Sequence, residues 1–268
     1  MEIKRIKIFI NPNEKSKIIA KELELELKKH GFEIVKDNYD LVISIGGDGS
    51  FLHTLRETNF NDEVYYIGLN SGTLGFLQEI DIDNSSDFIK RLCIGNYEID
   101  EISVQETKVI TNNNIHTFYS LNEIVIRNKC FKTLRIPIYI DNEYLEEFAG
   151  DGVLISTSTG STAYNMSLGG SIIYNTLKTL SITPIAPLNN KVYNCLTNSV
   201  IIPDEKVITM KVLDNPKFNN LFFMIDGVSY EIDNVLRVET KICNKTIKCL
   251  RMNDYNFIKL VNNKILGK

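Results

Sequence analysis

A glycine-rich segment with one acidic residue stands near the start of the sequence. Gly46-Gly47-Asp48-Gly49-Ser50 follows the apolar run 41–45, which is typical of a buried parallel strand, and precedes a helix predicted over 51–58. Glycines let a backbone approach phosphate oxygens, and free N–H groups at a helix start favour negative charge. The segment therefore predicts a phosphate-binding loop, although the lysine of a Walker A loop is absent. Its phosphate-contacting residues would be Gly46, Gly47, Gly49 and Ser50.

Asp48 is the unusual member of this loop, because a carboxylate beside phosphate is electrostatically unfavourable without a task. It could hold Mg²⁺ through water, or accept a proton from an attacking hydroxyl. The alternative is a turn in which Asp48 caps a backbone amide. Ser50 could equally cap the next helix or bind phosphate. His53, one turn into that helix, is more typical of a structural residue than of a catalyst.

Two later segments combine polar side chains with strand or helix signals. Asn122-Glu123 heads the apolar strand 124–126, where an amide and a carboxylate suit a ribose hydroxyl or a purine edge. The alternative for this pair is a turn at a strand edge. Residues 150–170 are dense in glycine and hydroxyl side chains, with a helix predicted over 161–168. They suit the sugar and phosphates of a nucleotide, with Tyr164 near its base, or else form a Ser/Thr-rich loop with a helix cap.

The composition limits the class of protein. The chain has 268 residues and a net charge of −4, which predicts no general attraction to nucleic acid or to an anionic membrane. No apolar run reaches the roughly 18 residues of a membrane span. The five cysteines form no CxxC pair and there are three histidines, so we expect no disulfide framework and no metal site built from protein ligands. A reducing cytoplasm is the expected compartment.

Strand and helix signals alternate up to about residue 98, and β-like runs dominate after it. The alternation predicts an α/β domain with a parallel sheet and helices on its faces over 1–98. The second domain, 99–244, is predicted to be β-rich, interrupted by the helix at 161–168. Asp141-Asn142 is predicted to form a turn between two of its strands.

Taken together, the motifs resemble the NAD kinase family. The resemblance is carried by Gly46–Ser50, by Leu69-Asn70-Ser71-Gly72-Thr73-Leu74-Gly75-Phe76-Leu77, by Leu121-Asn122-Glu123, and by Gly150-Asp151-Gly152 through Gly170. It implies transfer of a phosphoryl group from ATP, or from polyphosphate, to the 2′-hydroxyl of the adenosine ribose of NAD. It also implies a divalent metal, most often Mg²⁺, a homo-oligomer (tetramer or dimer), and a tail, 245–268, that returns to the first domain.

The resemblance also assigns roles to residues. Asp48 would be the general base and, with Gly49, would contact NAD. The other NAD contacts that it implies are Asn122, Glu123, Asp151, Thr162, Ala163, Tyr164, Ser167 and Ala186. One departure stands out, because many bacterial members carry Arg where this chain has Ala149. Arg127, Lys129 and Lys132 are candidates to supply that cation.

The sequence leaves three alternatives to this function open. Phosphofructokinases and lipid kinases of the diacylglycerol type use similar glycine loops, but the first are longer and the second lack the Thr159–Tyr164 segment. A non-catalytic dinucleotide sensor would be expected to have lost the acid at Asp48. A scaffold protein would explain none of the polar motifs.

Overall fold

A computed structural model describes residues 2–12, 14–71, 75–130, 132–212, 219–252 and 255–267. The chain divides into two compact units, which we describe separately. Unit 1 comprises Met1–Ile102 and Lys245–Lys268, and unit 2 comprises Ser103–Asn244. Among the described residues, no helix combines the length and the apolar character needed to cross a membrane.

Unit 1 is a parallel sheet with helices packed on it. Its elements from the N-terminus are β1 (Arg5–Ile10), α1 (Glu14–Lys29), β2 (Glu33–Ile34), β3 (Leu41–Gly46), α2 (Asp48–Glu57), β4 (Tyr65–Asn70), β5 (Ile80–Asp81), a 3₁₀ turn (Ile82–Asn84) and α3 (Ser85–Cys93). The strands are ordered β2-β1-β3-β4, and β5 pairs with the end of β4, all in parallel. The fold class predicted for this part of the chain is confirmed.

The alternating side chains of β3 explain why both faces of the sheet are covered. Ile43 and Ile45 join the core formed with α1 and α3, whereas Ser44 receives a hydrogen bond from Thr54 of α2 at 3.0 Å. Successive strand residues point to opposite faces, so α2 lies on the face away from α1 and α3. All six residues of β3 are buried, as its uninterrupted apolar run predicts.

Unit 2 consists of two sheets. Its strands are β6 (Glu98–Thr111), which begins in unit 1, then β7 (Ile115–Ser120), β8 (Glu123–Asn128), β9 (Leu134–Ile140), β10 (Glu143–Gly150), β11 (Gly152–Thr157), β12 (Thr179–Ile185), β13 (Val200–Pro203), β14 (Ile208–Lys211), β15 (Leu221–Ile225), β16 (Val228–Ile232) and β17 (Val235–Arg251). One sheet has the order β13-β12-β11-β8-β15-β16, and all of its pairs are antiparallel. The other runs β10-β9-β14-β17, and β17 continues to β6 and β7.

The core of unit 2 lies between these sheets. Ile124 and Ile155 of the first sheet and Ile136 and Phe148 of the second belong to one buried apolar cluster. Burial of such a face on a second layer is the main source of stability for an antiparallel sheet. The β-rich character predicted for this half is confirmed.

The helix predicted over 161–168 is wrong in its extent. The chain forms a 3₁₀ turn at Thr159–Thr162 and then a single α-helical turn, α4 (Tyr164–Ser167). Ala163 separates them with a backbone ψ of −131°, which no helix accommodates. The sequence pattern could not reveal this break, because every residue involved is compatible with a helix.

The end of β17 and the tail return to unit 1. Lys248 and Cys249 of β17 pair in parallel with the start of β4. The tail then forms α5 (Phe257–Val261), whose Asn256 cap accepts a hydrogen bond from the backbone of Lys259, and a π-helical turn, Asn262–Leu266.

Candidate active site

Asp48 is the first residue of α2, so the predicted helix begins three residues earlier than the sequence indicates. Its Oδ2 accepts a hydrogen bond from the backbone N–H of Phe76 at 2.8 Å, and its Oδ1 accepts one from Leu77 at 2.9 Å. Asp48 therefore does cap backbone amides, but they belong to a segment almost thirty residues away. These two bonds fix the orientation of the carboxylate.

The environment of Asp48 favours a basic carboxylate. Burial raises the pKa of its carboxyl, whereas the amides of Phe76 and Leu77 and the positive charge of Lys264 act in the opposite direction. A carboxylate has about four lone-pair positions, so two amides leave acceptor capacity for a substrate hydroxyl. Asp48 can thus be both fixed in place and more basic than an exposed aspartate.

The glycines around Asp48 have two different roles. A Cβ on Gly46, whose φ is +153°, would lie 2.2 Å from the Ser50 hydroxyl, so only glycine fits there. The Cβ positions of Gly47 and Gly49 instead face open space, with no heavy atom within 4 Å. A cavity of about 320 Å³ adjoins these two glycines and is also lined by Ser50 and His53. A phosphate group could therefore approach the loop backbone closely.

Ser50 and His53 both line this cavity, but they make different contacts. The backbone of Ser50 bonds to the carbonyl of Gly47 at 2.9 Å, as part of the first turn of α2. His53 is exposed, and its Nδ1 lies 4.0 Å from Oε1 of Glu57 one turn later. Surface and core placements are the two structural roles that the sequence favours for His53, and the structure gives it the first.

Gln78 binds the backbone of the glycine loop, and the sequence did not predict this role. It is buried, and its Nε2 donates to the carbonyl of Gly47 at 2.8 Å. A Cβ on Gly68 would lie 2.3 Å from Oε1 of Gln78, so β4 needs a glycine where this side chain passes. Of the motif around these residues, Gly72, Thr73 and Leu74 lie outside the described residues.

In unit 2, Asn122 and Glu123 lie at the head of β8, and both are buried. The carbonyl of Asn122 accepts a hydrogen bond from the backbone of Thr157 at 2.9 Å. A Cβ on Gly160 would lie 2.1 Å from the same carbonyl oxygen. The 157–160 segment therefore packs directly on the backbone of Asn122, and this packing requires glycine at 160.

Two further predicted site residues, Asp151 and Ala186, lie near the start of β11. The backbone of Asp151 donates to the carbonyl of Ile185 at 2.9 Å, and a Cβ on Gly150 would lie 2.7 Å from the carbonyl of Ala186. Asp151 and Ala186 are therefore neighbours, and both are exposed. Ala186 has a left-handed backbone with a φ of +46°, at the point where the chain leaves β12.

The remaining predicted contacts lie on the 3₁₀ turn and α4. Thr162 is buried and its hydroxyl donates to the carbonyl of Thr159 at 3.3 Å, which is a structural bond. Ala163 and Tyr164 are half-buried, and Ser167 is exposed at the end of α4. The structure places these four residues on one short segment.

Asp226 is the second residue that the sequence analysis missed. Its Oδ2 accepts a hydrogen bond from the backbone of Leu121 at 2.7 Å, and its Oδ1 accepts from Asn122 at 2.9 Å and Glu123 at 3.1 Å. The available signal was Asp226-Gly227 between two apolar runs, which is typical of a tight hairpin. That signal predicts the turn, but not what its side chain holds.

Comparisons with known proteins identify the family of this chain. Residues 9–97 match the ATP-NAD kinase N-terminal domain, and residues 121–251 match the ATP-NAD kinase C-terminal domain. The chain is 38% identical over 238 residues to the NAD kinase of Finegoldia magna, covering 87% of each chain. It is 32% identical to the NAD kinase of Leuconostoc mesenteroides, covering 98% of this chain and 99% of the relative. The chain belongs to the NAD kinase family.

Solved structures of NAD kinase family proteins share its fold. A crystal structure of yeast NADH kinase complexed with NADH matches with a TM-score of 0.88 at 20% identity, covering all of this chain and 88% of that one. An NAD kinase from Archaeoglobus fulgidus in complex with ATP matches with a TM-score of 0.74 at 19% identity, covering 98% and 97% of the two chains. The fold is thus retained where most residues differ.

The structure shows the surroundings of Ala149, where the resemblance to the NAD kinase family implies an arginine in many members. Ala149 is fully buried, and its backbone N–H donates to Sγ of Cys195 at 3.2 Å. Of the three candidate substitutes, Arg127 donates from Nη2 to the hydroxyl of Tyr164 at 3.2 Å, whereas Lys129 pairs with acidic residues of the β16 region. Lys132 is exposed. Arg127 is therefore the candidate that lies beside a predicted NAD contact.

Proposed function

We propose that this chain is an NAD kinase that transfers the terminal phosphoryl group of ATP to the 2′-hydroxyl of the adenosine ribose of NAD. Family membership supports the reaction, and the observation that carries the assignment of roles is the Asp48 carboxylate. It is held by two amides at the start of α2, beside glycines that are open to a ligand. In the reaction, the ribose oxygen forms a bond to the γ-phosphorus as the bond to the bridging oxygen of ADP breaks. The products are NADP, ADP and a proton.

Asp48 accepts that proton. A ribose hydroxyl is a weak nucleophile, and its attack is assisted when a positioned base removes the proton during bond formation. The half-buried, amide-held carboxylate of Asp48 has the acceptor capacity and the raised pKa that this role requires. We expect this step to contribute on the order of 10²–10⁴-fold to the rate.

The phosphates of ATP bind through backbone groups and Mg²⁺. The N–H groups of Gly47 and Gly49 lie at the N-terminal end of α2, where the helix dipole favours negative charge, and Ser50 lines the same cavity. In the described part of the chain, no three Asp, Glu, His or Cys side chains converge as metal ligands. Mg²⁺ would be held mostly by the phosphate oxygens of ATP and by water, which are ligands that it prefers. When bound, it neutralises charge on the phosphates.

The residues of unit 2 bind the dinucleotide. Asn122 and Glu123 offer an amide and a carboxyl group to ribose hydroxyls or the adenine edge. Thr162, Ala163, Tyr164 and Ser167 form a wall for the adenosine, and Asp151 and Ala186 provide neighbouring contacts. The cation beside Tyr164 is Arg127, which we infer to serve in place of the arginine that Ala149 replaces.

An acceptor-exchange assay tests this function. The purified chain is incubated with Mg²⁺ and ATP, and NADP is measured with an NADP-specific dehydrogenase. In parallel reactions, diacylglycerol or fructose 6-phosphate replaces NAD, and polyphosphate replaces ATP. We expect NADP from NAD, and no phosphorylation of the lipid or the sugar phosphate.

Each alternative has its own outcome in that assay. Phosphorylation of the lipid or the sugar without NADP would assign the chain to another glycine-loop kinase. Tight NAD binding without turnover under any metal or donor would indicate a dinucleotide sensor. The homo-oligomeric state implied by the resemblance and the cytoplasmic location expected from the cysteines stay predictions. Size-exclusion chromatography with light scattering would test the first, and cell fractionation the second.

A further inference from the structure

The turn between β15 and β16 places a buried carboxylate against the Asn122-Glu123 pair. Ile225 and Val228 are paired across a two-residue turn, and the central residues Asp226 and Gly227 have φ values of +44° and +80°. Positive φ at both central positions defines a type I′ turn, which Asp-Gly and Asn-Gly favour. The Asp226 side chain is 5% exposed and points back at the start of β8.

Three consecutive backbone amides converge on this one carboxylate. Leu121, Asn122 and Glu123 donate to it over distances of 2.7–3.1 Å. The carbonyl of Glu123 in turn accepts a hydrogen bond from the backbone of Asp226 at 3.1 Å. Hydrogen bonds to an ionised acceptor are stronger than neutral ones, so this contact restricts the backbone of the pair tightly.

We propose that Asp226 is a positioning residue for NAD, whose carboxylate fixes the backbone of Asn122 and Glu123 and thereby the direction in which both side chains meet the dinucleotide. This inference rests on the proposed function and deepens it, because the turn itself need not touch NAD. A hairpin turn could be made by Asn-Gly as well. The carboxylate is therefore not required by the turn, and its bonds to β8 explain its presence.

The Asp226 carboxylate also changes the pKa of the Glu123 side chain. Burial and the negative charge of Asp226 raise the pKa of Glu123 to about 8, while the backbone amide of Tyr164 acts in the opposite direction. Oε2 of Glu123 is buried and has no hydrogen-bond partner among the described atoms. A carboxyl group with this pKa is mostly protonated at neutral pH and can donate a hydrogen bond to an acceptor on NAD.

In the part of the chain that the structure describes, the other elements packed on Glu123 contribute no further charge that shifts its pKa. The residue opposite Glu123 on β11 is Ser156, which does not titrate in this range. On α4, the phenol of Tyr164 bonds to Arg127. Among the described residues, Asp226 is thus the charged group that shifts the pKa of Glu123. Loss of the Asp226 charge should therefore change the pH at which Glu123 titrates.

The test compares Asp226→Asn with Asp233→Asn by calorimetric titration of the folded chain with NAD between pH 6 and pH 9. Asn preserves the turn, removes the charge and turns an N–H group toward one of the three amides. Asp233 is exposed at the other end of β16 and accepts a hydrogen bond from Lys129 at 3.4 Å. Asp233→Asn therefore removes the same charge away from the start of β8 and serves as the matched control. We expect Asp226→Asn to weaken NAD binding about tenfold, and Asp233→Asn to bind as wild type does.

The pH profile separates positioning from a merely structural role. Removal of the Asp226 charge lowers the pKa of Glu123, so the inflection in NAD affinity near pH 8 moves to lower pH. This holds whether NAD prefers the protonated or the ionised carboxyl group. Glu123→Gln should abolish the inflection. If Asp226→Asn does not fold, this variant still tests whether Glu123 is the group that titrates.

Two results would overturn the inference. One is a folded Asp226→Asn protein whose NAD affinity and inflection match those of Asp233→Asn. The other is an inflection that survives in Glu123→Gln. A wild-type chain that neither binds NAD nor forms NADP would instead refute the proposed function, which the same titration and the acceptor assay reveal separately.

Discussion

Replacement of Asp48 by Asn should abolish most of the turnover while leaving the chain folded. The variant keeps the size of the side chain but cannot accept the proton of the ribose hydroxyl. It also turns an N–H group toward the amide of Phe76 or of Leu77, so one of the two bonds at 2.8 and 2.9 Å is lost. Two separate effects, on the rate and on stability, are therefore expected.

The two effects differ enough in size to be distinguished. Loss of a positioned base costs about 10²–10⁴-fold in kcat, which corresponds to roughly 2.7–5.4 kcal/mol of activation free energy. One unsatisfied buried donor costs about 1–3 kcal/mol of unfolding free energy, or a fall of about 2–10 °C in melting temperature. Because a domain has about 5–15 kcal/mol of stability, most molecules stay folded at 25 °C.

Asp40→Asn is the matched control for Asp48→Asn. Asp40 is a buried residue of unit 1, and its Oδ2 accepts hydrogen bonds from the backbones of Lys4 and Arg5 at 3.1 and 2.8 Å. We expect its variant to melt earlier without losing turnover. The coupled NADP assay and a thermal melt, each run on both variants, give the comparison. If Asp48→Asn keeps kcat within threefold of Asp40→Asn, the assignment of Asp48 as the base is wrong.

Three further predictions follow from single contacts. Gln78→Leu removes the bond to the carbonyl of Gly47 and should lower kcat about 2–10-fold with an unchanged affinity for NAD; equal kcat would deny Gln78 a role in the loop. Lys264→Ala should raise the pKa of Asp48 and move the acidic limb of the kcat/KM profile to higher pH, whereas Lys259→Ala on the exposed side of α5 should not. Gly160→Ala forces a Cβ onto the carbonyl of Asn122 and should cost about 1–3 kcal/mol of stability and weaken NAD binding; calorimetry and a melt that match wild type would contradict the packing described.

Local patterns in the sequence were sufficient to predict the elements that carry the site. The spacing of Ile19, Leu23 and Leu27 predicts the buried face of α1, and all three are in the core of unit 1. The uninterrupted apolar run of β3 predicts a strand covered on both faces. Asp141-Asn142 predicts a turn, and both residues have positive φ. Each of these signals depends on neighbours within a few residues along the chain.

Contacts between distant segments could not be predicted in this way. Leu121 and Asp226 are 105 residues apart, and Gly47 and Gln78 are 31 apart. Neither Asp226 nor Gln78 has a local pattern that names its partner, since the partner is a backbone group that any residue would supply. The start of α2 was misplaced for a related reason. Gly47 looks like a loop residue, yet its carbonyl accepts the first helical bond, from the backbone of Phe51 at 3.2 Å.

Asp40, Asp48 and Asp226 share one structural device, a carboxylate that binds amides of consecutive residues on a distant segment. The device alone therefore does not identify a catalytic base. The side chain of Arg5 lowers the pKa of Asp40 to about 2, which makes Asp40 a weak base, and the carboxylate of Asp226 accepts hydrogen bonds from three amides at the start of β8. Asp48 differs because burial raises its pKa and because the glycines beside it face open space. It is the combination of a fixed carboxylate, raised basicity and an open approach that supports our proposal of Asp48 as the proton acceptor.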